Sequence, residues 1–398
     1  MPPYPDALQT ILSHVQPLPT ERVPLELALG RALASDAVSR ALLPAVDNSA
    51  MDGYAVRSDD LKSASESKPV VLKIVERITA GDSPQSTLSA GQAARIMTGG
   101  ALPPGADAVV MQEDVEVQGS SALFRESVDA GEYIRRAGED IRPGDVAVRA
   151  GQALGASELA LMASIGETHA SVHRRPRVAI LATGDELVDF GSNAPGKLVD
   201  SNSLALALRL RELGCDVTAL GVARDEPAAI QARFEAAAGA DVIVSSAGVS
   251  VGDKDFVKPV LKALGATLHI ERVAIRPGKP LVFATRPGQL FFGLPGNPVS
   301  SRVTFEVFVR PALRALMGLT KPISTVPAVL SADFKKVAEL TFFTRVRLER
   351  DGAKLLAVPM PKQGSNYLTS LVGADGLAIL PAGVGQLAAG TPVDVMLL

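Results

Sequence analysis

The sequence predicts a multi-domain protein of α/β and β units, and three observations carry that expectation. From residue 177 to about 316, strand-like and helix-like runs alternate, which implies a doubly wound, mostly parallel sheet covered on both faces. From about residue 43 to 139, short runs of β-branched residues are punctuated by Gly and Pro, the pattern of a small β-rich unit. Beyond a linker-like GLTKPIS (318–324), the tail reads as strands again.

Taken in order, residues 6–38 read as two helices, because DALQTILSHV and VPLELALGRAL both space apolar residues near the helical period. VVLKIVERI, QAARIM, ADAVVMQEDVEV and ALFRESV are the strands of the β-rich unit, with GDSP and TGGALPPG as turns. Residues 143–166 return to helix at ASELALMASIG. The α/β unit then alternates RVAIL, SLALALRLREL, CDVTALGVA, PAAIQARFEAAA, DVIVSS and FVKPVLKAL, strand before helix each time. Strands at PLVFAT and QLFFGL follow, and a helix from Pro298 closes the unit. In the tail, TRVRLERDGAKLLAVPM is a hairpin about Asp351-Gly352, a favoured turn pair, and TPVDVMLL is the last strand. The expected units are a small helical, linking one (1–42 and 140–172), a β-rich insertion (43–139), the α/β unit (173–317) and a C-terminal β unit (318–398).

Composition narrows the function classes. Hydrophobic residues make up 47% of 398, enough for several cores, so disorder is excluded. A net charge of −3 without long charge runs argues against a nucleic-acid footprint. The basic cluster Arg174, Arg175 and Arg177 beside Pro176 reads as a solvated connector. Cys215 is the single cysteine, so there is no disulfide framework and a reduced, cytoplasmic setting fits. Four scattered histidines lack metal-ligand spacing, and no apolar run reaches membrane-helix length.

The chemistry gathers in three loops of the α/β unit: ATGDEL (182–187), SSAGVSVGDKDF (245–256) and GLPGNPVSS (293–301). Each follows a strand, so all open on one rim, where such sheets bind ligands. Gly184, Gly248, Gly252, Gly293 and Gly296 permit positive φ and close backbone approach, and helix N-termini offer free N–H groups to an anion. One such loop is explained as a tight turn; three on one rim point to a phosphate-bearing ligand. Asp185, Glu186, Asp225, Asp253 and Asp255 fall just past strand ends, where carboxylates either cap helices or hold Mg²⁺ beside phosphate. RPGKP places Arg276 and Lys279 in a proline-stiffened strap suited to an anionic oxygen. In the β-rich unit, Asp52 (VDNSAMDGYAVR) and Thr98 (RIMTGGALPPG) sit at turns and carry little signal alone.

In order along the chain, DNSAMDGYAV, TGGALPPGADAVV, AGEDIRPGD, TGDEL, SAGVSVGDKDF, RPGKP and GLPGNPVS span nearly its whole length. This set resembles the MoeA family, the molybdopterin molybdenumtransferases, relatives of the gephyrin-type E domains. The resemblance implies a MoaB/MogA-like α/β domain, a β-rich inserted domain and a β-barrel-like C-terminal domain. It implies insertion of molybdate into adenylylated molybdopterin with release of AMP, and Mg²⁺ as the required cation. It further implies a cytoplasmic homodimer whose cleft is shared between subunits, with no nucleic acid and no membrane involved. The preceding adenylyltransferase and molybdoenzyme maturation factors are the protein partners it suggests.

Residue by residue, the resemblance implies that Asp52, Thr98 and Asp140 complete the cleft across the subunit boundary. Glu186, Asp225 and Asp255 would handle the metal and the pterin or phosphate, and Lys279 the anionic substrate. Ser246, Gly248, Ser250 and Gly252, with Arg276, would line the pterin and phosphate pocket on one side. Gly293, Pro295, Gly296, Asn297, Pro298 and Ser300 would line it on the other. Arg345 or Arg347 would bind molybdate or phosphate, a cross-strand surface charge being the alternative. An acid among Asp52 and Asp225 is the expected base. Two departures stand out: Ala247 replaces a usual glycine, which calls for an ordinary φ, and Arg276 replaces a frequent lysine, which exchanges a point charge for a fork. Two other readings compete. The adenylyltransferase step of the same pathway would need only the α/β unit, and a dimeric scaffold would not need the cleft acids.

Overall fold

The computed structural model describes residues 1–192, 195–248 and 256–398. Its α/β unit is built on a six-stranded sheet, in the order Asp216–Ala223, Arg177–Thr183, Val242–Ser246, Gln289–Leu294, Pro280–Arg286 and Thr267–Arg272. The first four strands are parallel. Pro280–Arg286 runs against them, because the short turn at Pro287-Gly288 can join it to Gln289–Leu294 only as a hairpin, and the edge strand Thr267–Arg272 is antiparallel to Pro280–Arg286 in turn. Side chains alternate across the sheet. Val178, Ile180 and Val244 face one apolar cluster with Leu206, Leu210 and Val303. Ala179, Leu181 and Ile243 face another with Ile230, Phe234 and Val260. Both faces of the central strands are thus buried, as a parallel sheet requires. Every expected strand and helix of this unit is present. Thr267–Arg272 is an additional strand, half-exposed at the sheet edge, where the apolar signal is weak.

The first expected helix forms at Tyr4–Ser13, and its Ala7 and Ile11 join the α/β core beside Phe308 and Leu313. The second does not. Thr20–Pro24 is instead a strand paired antiparallel with His169–His173, followed by one 3-10 turn at Leu25–Leu27. Pro24 and Gly30 (φ +74°) interrupt the helical run, and the N–H groups of Gly30 and Leu33 donate to Leu154 and Gln152 instead. Tertiary strand pairing overrides the apolar spacing, leaving Leu27 and Leu29 exposed. The expected helix near residue 156 is found at Ala156–Ser164.

The β-rich unit is a six-stranded sheet in which Gly53–Val56 lies between Ala108–Met111 and Gln92–Ile96. In the C-terminal region Thr341–Asp351 pairs with both Lys354–Pro359 and Gly376–Leu380, and Thr325–Leu330 and Pro392–Leu397 close the circle into a five-strand barrel. Closure removes the free edges that open sheets must protect. Ile275–Arg276, the start of RPGKP, adds to this barrel by pairing with Thr341 and Phe342. The α/β unit therefore lends its strap to the barrel wall.

The arginine cluster is not a solvated connector. Arg174 grips buried Asp241 with two hydrogen bonds, 2.7 and 2.6 Å, and the Arg177 N–H donates to the same carboxylate at 2.8 Å. Burial pushes the Asp241 carboxyl up, but these donors prevail and hold it below the usual carboxylate range. Cys215 is buried and its thiol is pushed up to about 12 by burial, so it packs as an inert apolar group. No helix of the described residues is long and apolar enough to cross a membrane.

Candidate active site

The strand ends of the α/β sheet open into a cavity of about 760 Å³. Glu186 lines it from the first loop, Ser246 and Gly248 from the second, and Pro295, Gly296, Asn297, Pro298 and Ser300 from the third. The three motif loops thus meet as their places after parallel strands require. Gly248 needs its glycine: at φ +73° a Cβ would stand 2.6 Å from both Thr183 Oγ1 and Val257 Cγ2. Ala247 departs from expectation. Its φ is +73°, in the left-handed region that disfavours a side chain, and it too lines the cavity. Its N–H is fixed on the Leu294 carbonyl at 3.0 Å, so the loop holds an alanine where the backbone favours glycine. Gly293 and Gly296 do not use positive φ. Gly293 is an ordinary member of its strand, opposite Ser245 and Val282, and does not line the cavity. Ser250, Gly252, Asp253 and Asp255 lie outside the described residues.

The acids sit on adjacent strand ends. Glu186 follows Arg177–Thr183, and Asp225 follows its parallel neighbour Asp216–Ala223. The Asp225 N–H donates to Asp185 Oδ1 at 3.2 Å, which ties the two loops together. The helix Pro227–Ala236 starts at Glu226 without a side-chain cap. Glu186 folds back over its own loop, and a Cβ on Gly184 would meet its carboxylate at 2.8 Å. Among the described residues no three His, Cys, Asp or Glu side chains form a metal-binding group. The side chains that the described rim residues offer for a metal are carboxylates, hydroxyls and amides, oxygen ligands of the type a hard cation takes.

A second cavity of about 580 Å³ lies on the other side of RPGKP. Arg276 lines it with Lys335, Lys336, Arg345, Phe334 and Phe342, whereas Pro280 at the far end of the strap lines the first cavity. Lys279, exposed, stands on the strap between them. Arg276 therefore belongs to the barrel-side cavity, 5.6 Å from the Phe342 ring centre, and not to the sheet rim. Lys336 approaches the same ring at 5.3 Å. Arg345 is fully buried at this wall. It donates to Ser370 Oγ and to the carbonyls of Lys362 and Gly364 at 3.2–3.3 Å, and no carboxylate among the described residues pairs with it. Burial pushes its guanidinium down to about 10, still charged at neutral pH. Arg347 is different: it is exposed and pairs with Glu349 at 3.2 Å. The surface-charge alternative thus holds for Arg347 and fails for Arg345.

Asp52 and Thr98 form a pair of their own. Asp52 Oδ1 accepts from the Thr98 N–H at 2.7 Å and from its hydroxyl at 2.8 Å. The Thr98 N–H, then the hydroxyl, hold the Asp52 carboxyl below the usual carboxylate range. Such a carboxylate accepts hydrogen bonds or a cation at neutral pH and is a poor proton carrier there. Asp140 is exposed beside this unit, its N–H on the Leu43 carbonyl at 3.1 Å. None of the three lines either cavity of its own chain.

Several contributors escape the motifs. Asp200 and Asn202 open the helix Ser201–Glu212 on the cavity wall, and Asn366 reaches it from the C-terminal region. Ser365 secures that reach, since the Val299 N–H donates to its carbonyl and Asn297 to its hydroxyl. Only the DSN triplet before a helical run, an N-cap signal, marked any of these in the sequence.

Three family models match the chain: the MoeA N-terminal region (domain I and II) over residues 3–166, the probable molybdopterin binding domain over 179–315, and the MoeA C-terminal region (domain IV) over 327–398. A molybdopterin molybdenumtransferase of Nostoc sp. is 40% identical over 95% of this chain and 89% of its own length. The Bacillus subtilis protein of the same name is 36% identical over 100% of this chain and 94% of its own. Among solved structures, two of a molybdopterin biosynthesis MoeA protein from Pyrococcus horikoshii are similar. One has a TM-score of 0.88 at 29% identity over the full length of both chains. The other has a TM-score of 0.83 at 36% identity, over 99% of this chain and 98% of its own.

Proposed function

The chain belongs to the MoeA family of molybdopterin molybdenumtransferases, and from that premise we propose that it inserts molybdate into adenylylated molybdopterin, releasing AMP, in molybdenum cofactor biosynthesis. One observation carries this reading: two cavities of opposite chemistry share the RPGKP strap. The sheet-rim cavity, polar and with Glu186 and Asp200 in its lining, suits a pterin whose phosphates reach toward the strap. The barrel-side cavity, with four cations among its lining residues and no acid, suits a small oxyanion. Arg345, buried without a carboxylate, gains a partner when molybdate binds, and Arg276 closes on the same anion. Lys279 stands on the strap between the two and stabilises charge on the oxygens in transit.

The oxygen-only donor set fits Mg²⁺. Glu186 and Asp225 would hold it, and Asp255 joins them by its place in the sequence. Bound there, the cation would neutralise charge on the departing phosphate. Half-buried Asp52 and exposed Thr98, both clear of the two cavities in their own chain, act in the partner's cleft of a homodimer, with Asp140 beside them. The protein works in the cytoplasm in this reading, in keeping with its lone buried thiol.

The test mixes purified protein with adenylylated molybdopterin, Mg²⁺ and molybdate and follows AMP. Molybdate-stimulated AMP release is the expected result. Tight pterin binding with no AMP release at any molybdate concentration would indicate a carrier or scaffold and overturn the proposal.

A further inference from the structure

We propose that Asn202, together with Asp200 and Ser246, reads the 2-amino-4-oxopyrimidine edge of the pterin and so fixes which end of the substrate enters the sheet rim. The proposal rests on the reading above and adds to it a recognition role for Asp200 and Asn202, which lie outside the sequence motifs. Asn202 Nδ2 donates to the Gly296 carbonyl at 2.7 Å and to Ser246 Oγ at 3.0 Å. A carbonyl only accepts, so the amide cannot be turned the other way: a flip would set oxygen against oxygen. Both N–H bonds are spent on protein, and Oδ1 has no partner among the described residues. Asn202 lines the cavity.

Asp200 supplies a second acceptor. It is 6% exposed, yet it also lines the cavity. Its Oδ1 caps the helix by accepting from the Ser203 N–H at 3.0 Å. A cap uses one oxygen, and Oδ2 has no partner among the described residues. Ser246 Oγ accepts from Asn202 and keeps its own hydrogen to donate. This corner therefore offers two acceptors and one hydroxyl donor. An anionic oxygen placed against two acceptors is repelled, so phosphate does not belong here. A pterin edge matches: its 2-amino and ring N–H groups donate, and its 4-oxo group accepts. The ring then lies against the start of Ser201–Glu212, and the phosphates lie toward the cations of the strap.

The test uses competition for bound molybdopterin by two ring probes, pterin-6-carboxylate and lumazine-6-carboxylate, which carries an oxygen in place of the 2-amino group. Wild type should prefer the pterin by at least about tenfold, since a site built to hydrogen-bond a donor rejects an analogue lacking it. Asn202→Ala should bind the pterin more weakly and lose most of that preference. Asp200→Asn keeps the helix cap but turns the free acceptor into a donor, and should shift the preference toward lumazine. A staple without contact to the ring would weaken both probes equally in Asn202→Ala and leave the preference intact, which overturns the inference. So does a wild type that distinguishes neither probe while still releasing AMP, and that result leaves the proposed activity standing. Failure of wild type to bind molybdopterin or release AMP overturns both.

Discussion

The cavity at the sheet rim is walled by backbone, amides, hydroxyls and the carboxylates of Glu186 and Asp200, with Asn202, Ser246 and Gly296 hydrogen-bonded along its wall. The cavity at the barrel is walled by Arg276, Lys335, Lys336 and Arg345 around Phe334 and Phe342. The first holds a large, shaped organic ligand by many modest contacts, each worth about 1 kcal/mol net. The second holds charge, and its buried arginine is costly to leave without an anion. The two cavities divide the labour: recognition of a large organic substrate on one side of a strap, and capture of a small inorganic one on the other.

The largest effects should come from the charged side. Arg345→Met keeps the volume and removes the cation, and should lower molybdate-dependent AMP release by about a hundredfold or more, with molybdopterin affinity changed less than about threefold. An equal loss of pterin binding would erase the distinction between the cavities. Next comes the dimer. Asp52→Ala and Glu186→Ala should each inactivate, but mixing the two variants after subunit exchange should restore about a quarter of wild-type activity, because each mixed dimer keeps one intact cleft. No recovery would place both residues in one chain's site.

Smaller effects concern the frame. Arg174→Ala leaves buried Asp241 with a weakened partnership and should cost about 2–3 kcal/mol of stability, read by denaturant unfolding. Because the Asp241 carboxyl is held below its unfolded value, its contribution is present above the unfolded carboxylate pKa of about 3.9 and is lost as pH falls through the lowered one. The stability gap between wild type and the variant should thus be full at pH 7 and shrink below about pH 4. Ala247→Gly should raise stability by roughly 1 kcal/mol, the left-handed strain relieved exceeding the added freedom of the unfolded chain. A loss of stability would mean the alanine methyl packs usefully on the rim.

The contrast between the cavities also explains what could be read from the sequence. The rim loops follow neighbouring parallel strands of one sheet, so strand periodicity alone places Glu186, Ser246 and Asn297 on the same edge. The basic cavity joins the strap at Arg276 to residues near 335, 345 and 363, a convergence only the barrel's closure creates. Arg345 and Arg347 lie two residues apart on one strand and share a face, and only the segment carrying Lys362, Gly364 and Ser370 buries the first while the second stays exposed beside Glu349. Local periodicity misled at VPLELALGRAL, where pairing with His169–His173, far along the chain, decides the structure. It was silent on Asp241, whose isolated acid gives no hint of Arg174.

The most direct measurement is anomalous diffraction at the molybdenum absorption edge from crystals grown with molybdate and Mg²⁺. The peak should fall in the barrel-side cavity, within hydrogen-bond reach of Arg345 and Arg276. A peak on the sheet rim among Ser246, Gly296 and Asn202, with the basic cavity empty, would contradict this placement.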